Sequence, residues 1–452
     1  MKGVDFRSDD SAELMPLWEK CEDCREGQTA IHEGGKKYLP PLSGQSAQDY
    51  AAYVRRAVFY GAMSRTVDAF VGMVMRTPPV VDNYNGLLDD VTNAGQTLYE
   101  FATEMVDEAL VKGFGGILVE HTPQVAGAMT LAQAQQLGSR PYLTFFEAES
   151  IINWRLNKGV PVLVVLEEED YVYKNEFEFT EECVYRVLDL DETGFYRQRV
   201  FKRNKEMPDE FDLIEEIYPL MNGNRIPEIP FYFIGDAEHL PPLIDLVDLN
   251  ISHYMTTADL EAGCHWAGTP QPWIAGVQLE PTDSLKFGGN AWVFPDPSAK
   301  ANYLEFSGQG LSALEKRLEI KEKQMAALGA KMLSDTVVAE TATGASLRSS
   351  GEFSVLNNVA QTLSKALTRA CSFMYAWAGL PEVTVQLNTD YIPASASPQD
   401  IQAWLQAYQS GAISFQSLYG NLKKGEVFLA GTDAEEEQIA IGSQMPVITP
   451  NA

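Results

Sequence analysis

The sequence predicts an α+β chain: a mixed N-terminal domain, two long helices flanking a short β-bearing segment, and a helical tail. Three observations predict it. Apolar residues recur at three- and four-residue spacing in several long runs. Short runs rich in β-branched and aromatic residues crowd the stretch before residue 240, and Pro- and Gly-punctuated segments separate the parts. With 452 residues and 45% hydrophobic content, the chain can form two or three compact units and is too apolar to be disordered.

The elements follow in order. Tyr50, Tyr53, Val54, Ala57, Val58, Met63, Val67, Phe70, Val71 and Val74 predict one helix from Ser46 to about Met75, stopped by Pro78-Pro79. A second helix runs from about Thr97 to Val111 and closes at Lys112-Gly113. Strands are expected at Gly116–Glu120, Tyr142–Phe146, Val160–Leu166, Cys183–Leu190 and Phe195–Phe201, the last two joined by the turn Asp191-Glu192-Thr193-Gly194.

Pro241-Pro242 opens a helix through Leu243, Leu246, Val247, Asn250, Tyr254 and Leu260 to about Cys264. Strand-like pieces follow at Trp273–Leu279, Ala291–Phe294 and Tyr303–Phe306. Leu311, Leu314, Leu318, Met325, Leu328 and Met332 then give a seven-residue repeat, interrupted by Lys321, in a helix expected over Leu311–Leu333. Ser334–Gly351, rich in Thr, Ala, Ser and Gly, reads as a loop, with Ser349-x-x-Glu352 as a capping box for the next helix. That helix carries Phe353, Leu356, Val359, Leu363, Leu367, Ala370, Met374 and Trp377 and ends at Gly379-Leu380-Pro381. A strand at Val383–Leu387 and three short helices complete the chain, the first with Pro398 in its first turn, the second ending at Gly425, the third capped by Thr432-x-x-Glu435. No stretch approaches the roughly 18–20 unbroken apolar residues of a membrane span. The first residues carry no apolar signal core, so secretion is not expected.

Charge excludes more than it identifies. Lys and Arg total 34 against 63 Asp and Glu, a net −29. No Lys or Arg lies between Arg225 and Lys286, where nine acids do, and Glu167–Glu182 holds eight acids against Lys174 alone. Such a surface does not grip DNA by phosphate neutralisation; composition alone suggests solubility. The locally cationic stretch is Glu315–Lys323, with Lys316, Arg317, Lys321 and Lys323; it reads as a solvated helix face, or as a weak contact to passing phosphate. Glu319 and Lys323 are spaced for a pair one turn apart.

Motifs of catalysis are missing. Gly35-Lys36 lacks the remainder of a phosphate loop, Gly344-Ala345-Ser346-Leu347 is followed by Arg348 rather than glycine, and His32-Glu33 does not continue to a second histidine. The five histidines are not at metal spacing, and His253 reads as a structural residue rather than a base. Cys21, Cys24, Cys183, Cys264 and Cys371 form no disulfide framework; Cys21 and Cys24 read as reduced thiols on an N-terminal helix rather than as ligands. No cofactor is expected. Carboxylates are numerous enough for two to meet in space, which leaves a carboxylate-dependent metal nuclease as an alternative.

The order of parts resembles the stem, clip, stem, tunnel loop, wing helix and crown of tailed-bacteriophage portal proteins, the head-to-tail connector family. Particular strings are similar too: Tyr38-Leu39-Pro40; Tyr53-x-x-Arg56-x-x-Phe59-Tyr60 with Arg65-Thr66; Pro241-Pro242-Leu243-x-Asp245-Leu246 with Leu249-Asn250 and His253-Tyr254; Gly268-Thr269-Pro270; Gln324-Met325-Ala326-x-Leu328-Gly329; and Glu340-Thr341-Ala342. The resemblance implies a portal fold with an α/β wing (1–240), a first stem helix (241–268), a small β-containing clip (269–308), a second stem helix (309–333), a tunnel loop (334–352), a wing helix (353–382) and a helical crown (383–452).

It also implies a non-enzymatic homo-oligomer, a ring of twelve at one capsid vertex of the virion, assembled in the host cytoplasm. Double-stranded DNA would pass through it during packaging and ejection. Its partners would be the large terminase, tail or adaptor proteins, and the major capsid and scaffolding proteins, with no membrane. Within such a ring, acidity acquires a use, because an anionic wall repels the duplex within a screening length of about 8 Å. Asp245, Asp248, Asp259 and Glu261 are the candidates for that wall. Lys316, Lys323, Lys331 and Arg348 are candidates for sparse cationic contacts. Trp273, Phe287 and Trp292 are candidates for docking the motor or adaptor at the clip. Another virion ring protein, such as a head–tail adaptor, is the nearer alternative.

Overall fold

Ser8 opens the first helix by accepting a hydrogen bond from the Ser11 amide, and Asp9 and Asp10 favour its positive end. In the computed structural model, which describes residues 3–122, 139–207, 209–269, 271–276, 297–304, 310–329, 342–391, 398–424 and 438–439, this helix is α1, Asp9–Glu26. Its buried stripe is Ser11, Leu14, Trp18, Cys21 and Cys24. Helix α2 (Gln28–Gly34) follows.

The expected single helix from Ser46 to Met75 is two helices, α3 (Ala47–Arg56) and α4 (Ala62–Val74). Ala57 leaves the helical region with ψ 127°. The backbone groups freed by the break find other partners. The Ala57 carbonyl meets His32 Nε2 at 2.9 Å, and the Phe59 amide donates to Gln28 Oε1. Asn250 Nδ2 donates to the Tyr60 carbonyl at 2.7 Å while its Oδ1 accepts from the Met63 amide at 3.1 Å. Asn250 thus caps α4 from a distant element, a role its own N-cap, Gly61, has no side chain to fill.

Short strand β1 (Val80–Asp82) leads to α5 (Leu98–Val111), which starts with a complete capping box between Thr97 and Glu100. Strands β2 (Phe114–His121) and β3 (Pro141–Glu147) pair antiparallel. A meander of five antiparallel strands comes next: β4 (Ile151–Asn157), β5 (Val160–Tyr173), β6 (Phe179–Leu190), β7 (Tyr196–Arg203) and β8 (Phe211–Ile217). Ile152, Val165, Tyr185 and Val187 form its core, covered by Val4, Leu163, Phe201 and Phe211. After the small hairpin β9 (Leu220–Met221) and β10 (Asn224–Arg225), β11 (Phe231–Gly235) returns to pair with β2, giving the order β11-β2-β3. Gly116 permits that pairing, since a Cβ there would lie 2.2 Å from the Phe231 ring.

Helix α6 (Ile244–Gly268) and helix α7 (Leu311–Ala327) flank an antiparallel hairpin of β12 (Gln271–Ala275) and β13 (Lys300–Leu304). The strand expected at Ala291–Phe294 lies outside the described residues. Helix α7 is shorter than the expected Leu311–Leu333. Gly329, at φ +136°, turns the chain against Thr66 and Phe70 of α4, where a Cβ would come within 3.2 Å of each.

Helix α8 (Ala342–Ala378) begins inside the segment read as a loop to Gly351 and runs straight through Ser349 and Glu352, so no capping box forms there. Of the small residues that suggested a loop, Ala is the best helix former and Ser and Thr cost roughly half a kcal/mol each, while Gly344 and Gly351 cost about 1 kcal/mol each. Leu356, Val359, Leu363, Leu367, Ala370, Met374 and Trp377 are its buried side chains from the expected periodic stripe. Strand β14 (Thr384–Gln386) pairs with β1. The chain divides into two compact units, Met1–Leu387 and Asn388–Ala452. In the second, α9 (Pro398–Gln409) and α10 (Phe415–Lys424) meet through Phe415, 6.2 Å from Tyr408 and 6.3 Å from Tyr419. The third tail helix, expected from Thr432, has its capping residues outside the described ones.

Candidate functional site: the α6–α7 helix pair

Leu311, Leu314, Leu318, Lys321 and Met325 are the less exposed positions of α7, at spacings of three and four. Lys321 is therefore not a gap in the repeat but a member of it. Its Nζ donates to the Ser252 carbonyl (2.6 Å), Ser252 Oγ (2.8 Å) and Thr256 Oγ1 (2.6 Å) of α6. Burial lowers the pKa of this ammonium, with Arg317 adding repulsion. Leu311 sits against Gly263, so the two helices run antiparallel from the Gly263 end to the Ser252 end.

The inner part of α6 is buried through Leu246, Val247, Asn250, Ile251, His253 and Tyr254. Beyond Ala258 burial ceases, and Trp266, Trp273 and Tyr303 are 56%, 40% and 61% exposed. The far end of the pair and the β12–β13 hairpin thus offer aromatic surface to solvent, where apolar patches mark contact sites.

The four acids of α6 differ in circumstance. Asp245, Asp248 and Asp259 fall within about 60° of one another around the helix, opposite its buried side. Asp245 is exposed and in no ion pair among the described residues. Asp248 is bridged by Lys20 of α1 at 2.5 Å, and Asp259 accepts a hydrogen bond from Tyr53 of α3 at 2.6 Å. Glu261 is exposed near the end of the helix, away from that face. On α7, Lys316 and Lys323 are exposed, and Glu319 and Lys323 do not form the ion pair their spacing suggested. Arg348 lies on α8 rather than in a loop, its side chain outside the described set. Lys331, Phe287 and Trp292 lie outside the described residues; Trp273 is on β12.

His253 is buried, with Nδ1 3.4 Å from Thr257 Oγ1 and Nε2 3.6 Å from Glu322. Desolvation lowers its pKa over the opposing pull of Glu322, so it is a neutral packing residue at neutral pH. Cys21 and Cys24 are fully buried on α1, and burial pushes the Cys21 thiol up to about 12 and Cys24 higher still. Neither is poised for nucleophilic or redox chemistry.

A cluster the sequence reading missed surrounds Lys112. Its Nζ, on a side chain 2% exposed, lies 2.8 Å from Glu149, 3.2 Å from Glu22 and 3.3 Å from both Glu108 and Glu147. Burial alone would lower this lysine's pKa, but the carboxylates outweigh it and hold the ammonium charged. Glu108, Glu147 and Glu149 have the spacing of metal ligands. The lysine itself supplies the positive charge at their centre, so the cluster is a closed ionic node rather than an open metal site.

A family model described as a domain of unknown function (DUF4055) matches residues 242–378, which take in α6, the β12–β13 hairpin, α7 and α8. No curated protein matches the sequence. Similar solved chains include one from the neck of an empty gene transfer agent (GTA) particle computed with C6 symmetry. It is 15% identical over 83% of this chain and 92% of that one, with a TM-score of 0.40. Others are from the virion of the native GTA particle (14% identity, TM-score 0.36, 83% and 92% covered) and from its neck computed with C12 symmetry (14%, 0.36, 82% and 92%). At such TM-scores these likenesses are too distant to assign a role.

Proposed function

We propose that this chain is the portal subunit of a tailed-phage-type particle: a structural protein, copies of which close into a ring around DNA at one capsid vertex. The observation that carries the reading is the antiparallel α6–α7 pair, buried at one end, bare at the other, and joined through a small β-hairpin. This order resembles the stem and clip of the portal family, and three of the portal-like strings, those starting at Pro241, Gly268 and Gln324, fall on these elements. The bare end exposes Trp266, Trp273 and Tyr303, a surface suited to neighbouring copies and to a packaging motor or tail adaptor. The face of α6 opposite its buried stripe carries Asp245, Asp248 and Asp259, with Asp248 held by Lys20 of α1 and Asp259 by Tyr53 of α3, and no residue of α6 itself is Lys or Arg. In a ring, that side would line the channel as a non-adhesive wall, with Lys316 and Lys323 as sparse phosphate contacts.

The Lys112 node weighs against the metal-nuclease alternative, because the one described trio of convergent acids holds a lysine. Particle mass and electron microscopy of the purified protein test the reading. Closed rings with a central channel are expected. A compact monomer at every concentration and salt, or Mg²⁺-dependent cleavage of DNA lost on a single Asp or Glu substitution, would overturn it.

A further inference from the structure

Strand β5 is 14 residues long, and different surfaces lie at its two ends. At its far end β5 and β6 outrun their neighbours. β4 pairs with β5 only as far as Leu166, and β7 pairs with β6 only from Val184, so residues 170–173 and 179–182 project as a two-stranded ribbon. Tyr171, Tyr173, Phe177 and Phe179 are 49%, 72%, 85% and 49% exposed there. The cluster is ordered: Phe179 lies 5.3 Å from Tyr171 and 6.0 Å from Tyr173, centroid to centroid. Asn175 Oδ1 accepts from the Phe177 and Glu178 amides and fixes the tip. Lys202 and Lys205 engage Asp170 and Glu182. Glu169, Glu176, Glu178 and Glu181 have no cation among the described residues, and Lys174 is the one basic residue of the tip. A solvated two-stranded ribbon is marginal by itself, and four exposed aromatics on it are unusual for a free surface.

At the near end of β5 is a groove of ≈ 1020 Å³ between the β4–β5 turn, edge strand β11 and helix α8. Tyr232, Phe233 and Phe373 supply its aromatic wall, and Lys158, Lys365 and Arg369 its cations, against Glu228 and Glu382. None of the three cations is in an ion pair with a described carboxylate. In a chain of net charge −29, this is a cationic, aromatic recess. The recess and the acidic aromatic tip are complementary in charge and in chemistry. They stand up to about 43 Å apart along one strand at ~3.3 Å per residue, so a copy cannot fill its own groove.

We propose that the ribbon tip of one copy seats in the α8–β11 groove of the next, with Phe177 against Tyr232 and Phe373 and with Glu176 and Glu178 beside Lys365 and Arg369. The contact joins two different patches, so it is head-to-tail and can close into a ring. It rests on the ring reading for its biological use, but it can be tested separately. Charge complementarity also sets the register of such a contact, since like charges facing each other are costly.

The test uses the full chain with Phe177→p-benzoylphenylalanine, photolysed, with the cross-linked peptides mapped from mixed isotope-labelled and unlabelled copies. Cross-links between copies that end in residues 228–233 or 362–376 are expected. Cross-links between copies that end elsewhere, or none between copies, would overturn the contact. A second arm needs no photochemistry. The double variant Lys365→Glu with Arg369→Glu should raise the concentration needed for assembly by about tenfold or more, and adding Glu176→Lys with Glu178→Lys should restore it. Unchanged assembly of the double variant would refute the contact while leaving the ring intact. Groove-directed cross-links in a protein that never closes a ring would support the contact and count against the portal reading.

Discussion

At the scale of single residues, two lysines of an acidic chain are spent inside it. Lys112 neutralises a node built from α1, α5 and the end of β3, and removing it strands carboxylates in a buried site. We expect Lys112→Met to cost about 3–5 kcal/mol, read as a lowered denaturant midpoint, with the loss smaller in acid, where the carboxylates protonate. An unchanged midpoint at neutral pH would contradict the node. Glu108 in the same node gives a pH signature. Burial, over the pull of Lys112, raises its carboxyl from 4.5 to about 8. The folded state then holds a proton that the unfolded state has released. Its contribution to stability is full below pH 4.5 and is lost as pH rises towards 8. Glu108→Gln keeps an acceptor for the Ala148 amide and cannot ionise, so a stability–pH curve should be flatter for this variant across that window. Identical slopes would refute the assignment.

At the scale of elements, Lys321 is the link between α6 and α7. Lys321→Met fills the same seam but removes the ammonium donor from Ser252 Oγ and Thr256 Oγ1 and leaves the Ser252 carbonyl only its bond from the Thr256 hydroxyl. A loss of ~1.5–3 kcal/mol is expected, together with faster hydrogen exchange along α7; protection equal to wild type would show the link to be unimportant. The same residue shows what the sequence conveyed. Periodicity located α6, α7 and the buried stripe of α8, because burial on one helix face leaves a spacing that can be read locally. It took Lys321 for an interruption, because a buried ammonium satisfied by the neighbouring helix leaves no local trace. The break between α3 and α4 was hidden for a similar reason. The apolar spacing steps by six residues from Ala57 to Met63, a lapse too short to separate two helices by itself, while the groups that stabilise the break, Asn250 and His32, are far away in sequence. Local pattern does not mark β1, β4, β8, β9, β10 or β11: β1, β9 and β10 are two or three residues long, and β8 is an edge strand exposed along nearly its whole length, with no alternation to detect. Of the acids on α6, Asp248 and Asp259 also anchor the helix to α1 and α3 through Lys20 and Tyr53, partners too distant in sequence to leave a local pattern. Among the described residues, Asp245 and Glu261 are left as the unpaired acids of α6.

At the scale of the whole molecule, that distinction decides which substitutions are informative. Asp245→Lys reverses the unpaired charge of that face without breaking an ion pair among the described residues. Packaging should slow and the packaged DNA shorten, whereas Asp248→Asn, which mainly releases Lys20, should do little. Unaltered packaging by the Asp245 reversal would remove the repulsive wall from the account.

The account depends on many copies enclosing a hole with the lysine-free side of α6 turned towards it. Cryo-electron microscopy of the assembled protein tests this most directly, by locating α6 relative to the symmetry axis. We predict a closed ring with a channel wide enough for duplex DNA and Asp245 on its wall. A ring in which α6 is turned away from the axis, or particles with no channel, would contradict it.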